Sequence, residues 1–170
     1  GDWSSDVCSS DLTVLDAYDG ERIVYVTTPH NPAGTEMRRE DVVELLESVD
    51  EDTLVVVDEA YGEYSERPSA VELLDDHDNL AVTRTFSKAF GLAGLRIGYA
   101  VVPEAWADAY ARVNTPFAAS EVACRAALAA LDDEAYVETS VETARWARRY
   151  YHDELDAPTW PSGGNFVLAE

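Results

Sequence analysis

Three short runs of β-branched and aromatic residues, RIVYVT (22–27), DTLVVVD (52–58) and LAVTRT (80–85), constrain the fold most tightly. Runs this apolar, bounded by Pro, Gly and Asp, read as buried strands. Between the first two, residues 38–49 (RREDVVELLESV) place Val42, Leu45, Leu46 and Val49 at helical spacing. Strand, helix, strand is a right-handed crossover in a parallel sheet. A short helix is expected over residues 69–76, ahead of the third strand. From the third strand to a fourth run, RIGYAVV (96–102), lie about ten residues, fewer than the dozen or more a parallel crossover needs, so the fourth strand is expected to run antiparallel. After Pro103 the pattern turns helical over residues 103–113, 120–131 and from 132 to about 155, with Asp132 or Asp133 suited to an N-cap. In that last helix Arg145, Arg148 and Arg149 read as a solvated face paired with nearby acids. Residues 166–169 read as the opening of a further strand, and the only candidate domain boundary is the change near residues 150–161, where Pro158 and Pro161 break the chain.

Composition narrows the partners. A net charge of −22 over 170 residues repels phosphate backbones and anionic lipid, which argues against nucleic-acid and membrane partners. The carboxylates are spread along helical segments rather than gathered in one block, as suits a protein adapted to high salt. No apolar run approaches the length of a membrane span. Cys8 and Cys124 have no metal-type spacing, and His30, His77 and His152 share none either, so no metal is expected and a reducing cytoplasm is the default compartment. Residues 1–12 (GDWSSDVCSSDL) lack apolar periodicity and resemble a translated sequencing adapter; they are read as a non-native leader, with the native protein beginning upstream of Thr13 and this chain a fragment of it. Setting aside Asp2, Asp6 and Asp11 leaves the excess of acids intact.

The chemistry centres on TFSKAFGLAGLRIGY (85–99). Eleven of the twelve basic residues are arginine, and Lys88 is the single lysine. Guanidinium stays protonated, whereas a lysine amine can lose its proton and condense with a carbonyl. Thr85 and Ser87 precede Lys88, Gly91, Gly94 and Gly98 follow it, and Arg96 offers a planar fork suited to phosphate. In open parallel sheets ligands bind beyond the carboxyl ends of the strands. The first strand ends near Asn31, the second in Asp58 followed by Tyr61, and the third in Ser87 and Lys88, so these loops are expected to converge on one crevice. No paired base activates Ser87 for hydrolysis. An amine, an acid, a phenol, an amide and a guanidinium suit a cofactor with an aldehyde, a ring nitrogen, a phenolic oxygen and a phosphate.

On the motifs HNPAGT, VVVDEAYGEY, TFSKAFGLAGLRIGY, AALAAL and PSGGNFVLAE, the chain from about residue 23 to residue 170 resembles the fold-type I pyridoxal-phosphate aminotransferases, most closely their histidinol-phosphate branch. The resemblance implies a three-layer, mostly parallel α/β sheet. Residues 13–150 would form part of a cofactor-binding large domain, truncated at its N-terminus, and residues 151–170 the start of a truncated small C-terminal domain. It implies pyridoxal 5'-phosphate as cofactor, an amino donor (histidinol phosphate) and a 2-oxo acid (2-oxoglutarate) as substrates, and a homodimer. Aromatic aminotransferases and threonine-phosphate decarboxylase-like enzymes are the alternatives within the fold, and a catalytically incomplete fragment the alternative outside it. By resemblance Lys88 would bind the cofactor and move the proton, Asp58 would pair with the ring nitrogen, Tyr61 and Asn31 would bond the phenolic oxygen, and Thr85, Ser87 and Arg96 would hold the phosphate. Two residues depart from the family pattern: Ala33, where threonine is usual, and Ala118, where asparagine often follows Pro-Phe.

Overall fold

A computed structural model describes residues 13–115 and 118–170; the adapter-like leader, and the Pro-Phe pair before Ala118, lie outside the described residues. The strands are β1 (Ile23–Thr27), β2 (Leu54–Asp58), β3 (Leu80–Thr85) and β4 (Gly98–Val101), in the spatial order β1-β2-β3-β4. β1, β2 and β3 are parallel, and β4 runs antiparallel to β3, as the short connection requires. The helices are α1 (Thr13–Ala17), α2 (Arg39–Ser48), α3 (Glu104–Val113), α4 (Glu121–Leu131) and α5 (Glu134–Glu154). None of the helices among the described residues is long and apolar enough to cross a membrane.

The period of two along each strand divides the sheet into unlike faces. On one, Val24, Val55, Val57, Leu80 and Val82 are buried against Val42, Leu45 and Leu46 of α2 and against Ala70 and Leu73. On the other stand Ile23 and Tyr25, both exposed, together with Asp58. α2 is held at its start by Arg38, whose guanidinium donates to both oxygens of buried Asp41 at 2.6 and 2.9 Å. The helix expected over residues 69–76 is a single 3-10 turn, Ala70–Leu73, with Ser69 Oγ capping Val71 N–H at 3.1 Å. Residues 166–169 form no strand; a lone antiparallel bridge joins Thr159 to Ala169. Asp133 caps α5 by accepting from Tyr136 N–H.

The arginines of α5 divide between two roles. Arg145 lies 3.5 Å from Glu66, an ion pair of the expected kind. Arg148 instead donates to the carbonyl of Gly164, and partial burial, reinforced by neighbouring Arg145, lowers its pKa. This bond ties the glycine turn at Gly163 and Gly164 to α5. Gly163 N–H in turn donates to the carbonyl of Gly34 at 2.8 Å, which brings the C-terminal stretch onto the loop after β1.

A buried ion network anchors the segment after β2. Glu59, 4% exposed, accepts from Ser69 Oγ at 2.7 Å, from Ala70 N–H at 2.6 Å, and from Arg84 Nε and Nη2 at 3.0 and 2.5 Å. Arg84 Nη1 also donates to Glu63 Oε1 at 3.2 Å. One guanidinium thus serves two carboxylates, and burial pushes the Glu63 carboxyl above its usual 4.5. Removing a partner from such a network leaves a buried charge uncompensated. Glu59→Ala is therefore expected to destabilise the fold by about 3–5 kcal/mol in denaturant titration. Glu63→Gln has the opposite sign: a raised folded pKa gives stability that is present below the unfolded value and lost as pH rises through the folded one. The glutamine variant should melt higher than the parent at neutral pH and equally with it once Glu63 is protonated in both states.

Candidate active site

The site forms where β1, β2 and β3 end. Parallel register sets Thr27 level with Asp58 and Asp58 level with Thr83, so the loops that follow leave from one edge of the sheet. The loop after β1 carries Asn31, and both the Thr28–Pro29 and Asn31–Pro32 peptide bonds are cis. The chain after β2 turns through Tyr61 into a 3-10 turn, Gly62–Tyr64. The loop after β3 carries Ser87 and Lys88 and closes on itself through Gly91 N–H to Lys88 O at 2.9 Å and Leu92 N–H to Phe86 O at 2.8 Å. Gly91 has φ +71, a left-handed conformation that favours glycine, and it lies against the Tyr136 hydroxyl of α5.

Three of the expected residues meet directly. Asn31 Nδ2 donates to Tyr61 Oη at 2.7 Å, and Lys88 Nζ lies 5.0 Å from the centre of the Tyr61 ring, within cation–π range. Phe166 meets the same ring edge-on, with centroids 5.0 Å apart. Tyr61 is thereby fixed through its hydroxyl and its ring, with Lys88 beside it. A second group gathers two residues later. Thr85 Oγ1 accepts from Ser87 N–H at 3.1 Å, and Ser87 Oγ receives a long hydrogen bond, 3.4 Å, from Arg96 Nη1. Arg96 also donates to Ala93 O at 2.9 Å and holds a left-handed backbone, φ 51 and ψ 54. A non-glycine residue in that region is strained, and strain of this kind gathers at functional sites. Arg96 shares an open cleft with Tyr110, Asn114 and Ala118, which puts the unusual Ala118 on the same side as the guanidinium.

Asp58 is held differently. Its Oδ1 accepts from Ala60 N–H at 2.9 Å, and its Oδ2 accepts a short hydrogen bond from the phenol of Tyr25. Tyr25 and Phe166 were not among the residues singled out from the sequence. The signal for Tyr25 lay in register: it stands two residues before Thr27, the partner of Asp58, and so projects from the same face of the sheet. Phe166 carries no such signal, since the stretch that holds it is irregular.

The fold and site define an α/β protein with a lone amine, an anchored carboxylate and a guanidinium at the carboxyl edge of a mostly parallel sheet. The chain belongs to the aminotransferases of class I and II, whose family profile matches residues 5–170. Among curated relatives, it is 75% identical over 157 residues to the histidinol-phosphate aminotransferase of Haloferax volcanii, covering 92% of this chain and 44% of the relative. It is 66% identical over 157 residues to the enzyme of the same name from Haloquadratum walsbyi, covering 92% and 42%. The chain thus spans less than half the length of these relatives. Among solved structures, it matches the histidinol-phosphate aminotransferase of Sinorhizobium meliloti in complex with pyridoxal-5'-phosphate, with a TM-score of 0.82, 34% identity, and coverage of 93% of this chain and 44% of that one.

Tyr25 gives the geometry a direct check. Partial burial, and then the hydrogen bond to Asp58 and its charge, push the phenol up to about 12. In NMR spectra of the tyrosine ring carbons at about pH 11, where an ordinary phenol is ionised, Tyr25 is expected to remain protonated. Asp58→Asn should bring its titration back toward that of an ordinary tyrosine.

Proposed function

We propose that the protein carrying this chain is a pyridoxal-phosphate-dependent aminotransferase that moves the amino group of histidinol phosphate to 2-oxoglutarate in histidine biosynthesis. The observation that carries the reaction class is the meeting of Lys88, Tyr61 and Asn31 beside the Ser87–Arg96 pair, on the carboxyl edge that also holds Asp58. The amino donor rests on the names of relatives that are 66–75% identical, and 2-oxoglutarate on the family resemblance. In the same reading the protein works as a homodimer in the cytoplasm, with residues 13–150 part of the cofactor-binding domain and residues 151–170 the start of a small domain.

The donor set fits the cofactor group by group. Lys88 offers an amine for its aldehyde, Asp58 a carboxylate for its ring N–H, the Tyr61 and Asn31 pair donors for its phenolic oxygen, and Thr85, Ser87 and Arg96 hydroxyls and a fork for its phosphate. When bound, pyridoxal phosphate supplies an electron sink for the carbon that gives up its proton. The residues of this chain do the rest. Lys88 Nζ would take up and hand on the proton that the substrate carbon gives up, a task that needs an amine able to exist neutral. Asp58, bonded on both oxygens, would accept the N–H of the ring nitrogen. Asn31 fixes Tyr61 Oη, and the Tyr61 ring restrains the ammonium of Lys88 from one side.

Two measurements on the full-length gene product test this. Borohydride reduction of the loaded protein should fix the cofactor covalently to the peptide containing Lys88. Lys88→Arg keeps the charge but neither condenses nor shuttles a proton at neutral pH, so turnover should fall by at least about 10²–10⁴-fold. Recovery of the reduced cofactor on another lysine would remove the site assignment. Glutamate formation from 2-oxoglutarate should be fastest with histidinol phosphate; an aromatic amino acid as the better donor, or carbon dioxide release from a phosphorylated threonine, would replace the substrate but not the site.

A further inference from the structure

We infer that Tyr25 is a positioning residue of the active site, whose phenol holds the Asp58 carboxylate in the orientation that a heterocyclic ring nitrogen needs. The inference rests on the reading of Asp58 given above and extends it to a residue in a different strand. An ionised carboxylate has two oxygens and about four acceptor positions. In this structure one oxygen takes Ala60 N–H, from the loop after β2, and the other takes Tyr25 O–H, from β1. With both oxygens tied to separate elements the carboxylate cannot rotate about its bond to Cβ, and acceptor positions remain for a ligand N–H. Burial and the Asp58 charge keep the phenol itself protonated up to about 12, so it serves as a donor throughout the working range.

The alternative, an aromatic residue retained for packing, accounts poorly for what surrounds it. Phenylalanine would supply the same ring, and the hydroxyl is the part of the side chain that the Asp58 contact uses.

The test is a double-mutant cycle in the full-length gene product, with pyridoxal 5'-phosphate as the probe and its dissociation constant and bound absorption spectrum as readouts. Tyr25→Phe keeps the ring and the strand. It is expected to weaken cofactor binding about tenfold, the size of a lost hydrogen bond to a charged group, and to shift the bound spectrum in the same direction as Asp58→Asn. In the Asp58→Asn background the same change should add nothing, because Tyr25 acts only through that carboxylate. Unchanged affinity and spectrum in Tyr25→Phe, while Asp58→Asn weakens binding, would overturn the inference and leave the site reading standing. Additive losses would also overturn it, by placing the action of Tyr25 elsewhere. If Asp58→Asn itself changes neither readout, the site reading fails first and takes this inference with it.

Discussion

The register between β1, β2 and β3 is the constraint on which the site depends. With a side-chain period of two, a slip of one residue in β2 would turn Asp58 into the apolar core and bring valine to the site. The adjacent residues Asp58 and Glu59 show how narrow that tolerance is. Asp58 projects to the face that carries Tyr25, while Glu59 continues the ladder through its N–H to Thr83 O at 2.9 Å and sends its carboxylate to the opposite side. There Arg84, the neighbour of Thr83 in β3, receives it. Two acids in succession therefore have opposite fates: one stands at the sheet edge beside Tyr25, and the other is consumed in anchoring the loop that carries Tyr61. The ion network holds the loop to β3 and so helps keep the strands in step.

Much of this was legible in the sequence, for reasons that differ from residue to residue. The strands were visible because their apolar runs are short and bounded, and the reversal of β4 followed from the length of chain available to connect it. Lys88 stood out by composition, Asn31, Asp58, Tyr61 and Ser87 by their place at strand ends, and Arg96 by its planar fork in the glycine-rich stretch. What could not be read was anything that depends on two elements meeting side by side. Glu59 and Arg84 are 25 residues apart and individually unremarkable among so many charges. Arg148 sits in a run of arginines that looks solvated, and only the turn at Gly164 gives it a carbonyl to bind. The 3-10 turn in place of the helix over residues 69–76 has a similar origin: Ser69 and Ala70 N–H are drawn to Glu59, and the segment is fixed by that carboxylate rather than by its own helical period.

The loop between β3 and β4 carries the Lys88 amine and the Arg96 guanidinium within a few residues. It does so with a glycine at positive φ where α5 presses close, and with Arg96 in a left-handed conformation that most side chains avoid. For a non-glycine residue that conformation costs about 1–2 kcal/mol. The hydrogen bonds from Arg96 to Ala93 O and Ser87 Oγ offset part of it, and they also aim the guanidinium back at the hydroxyl that precedes Lys88. A relaxed arginine on a regular strand would point elsewhere. The strain thus belongs to the geometry of the site.

Electrostatics sets a different condition on the same loop. A chain of net charge −22 disfavours the approach of any anionic ligand, and the cations at the site, Lys88 and Arg96, are few against that field. The two effects act over different distances. The general repulsion reaches about 30 Å at 0.01 M salt and only about 3 Å at 1 M. The contacts that recognise a phosphate or a carboxylate are made within about 3 Å, where solvent ions do not intervene. High salt therefore removes most of the barrier to encounter while leaving the recognising contacts in place. The acidic surface and the basic site are compatible where salt is concentrated, and the two relatives described above, from Haloferax and Haloquadratum, share this chain's sequence at 75% and 66% identity. The amine at position 88 lies beside a tyrosine ring, an uncharged neighbour within cation–π range, so none of the many carboxylates is needed to hold it in place.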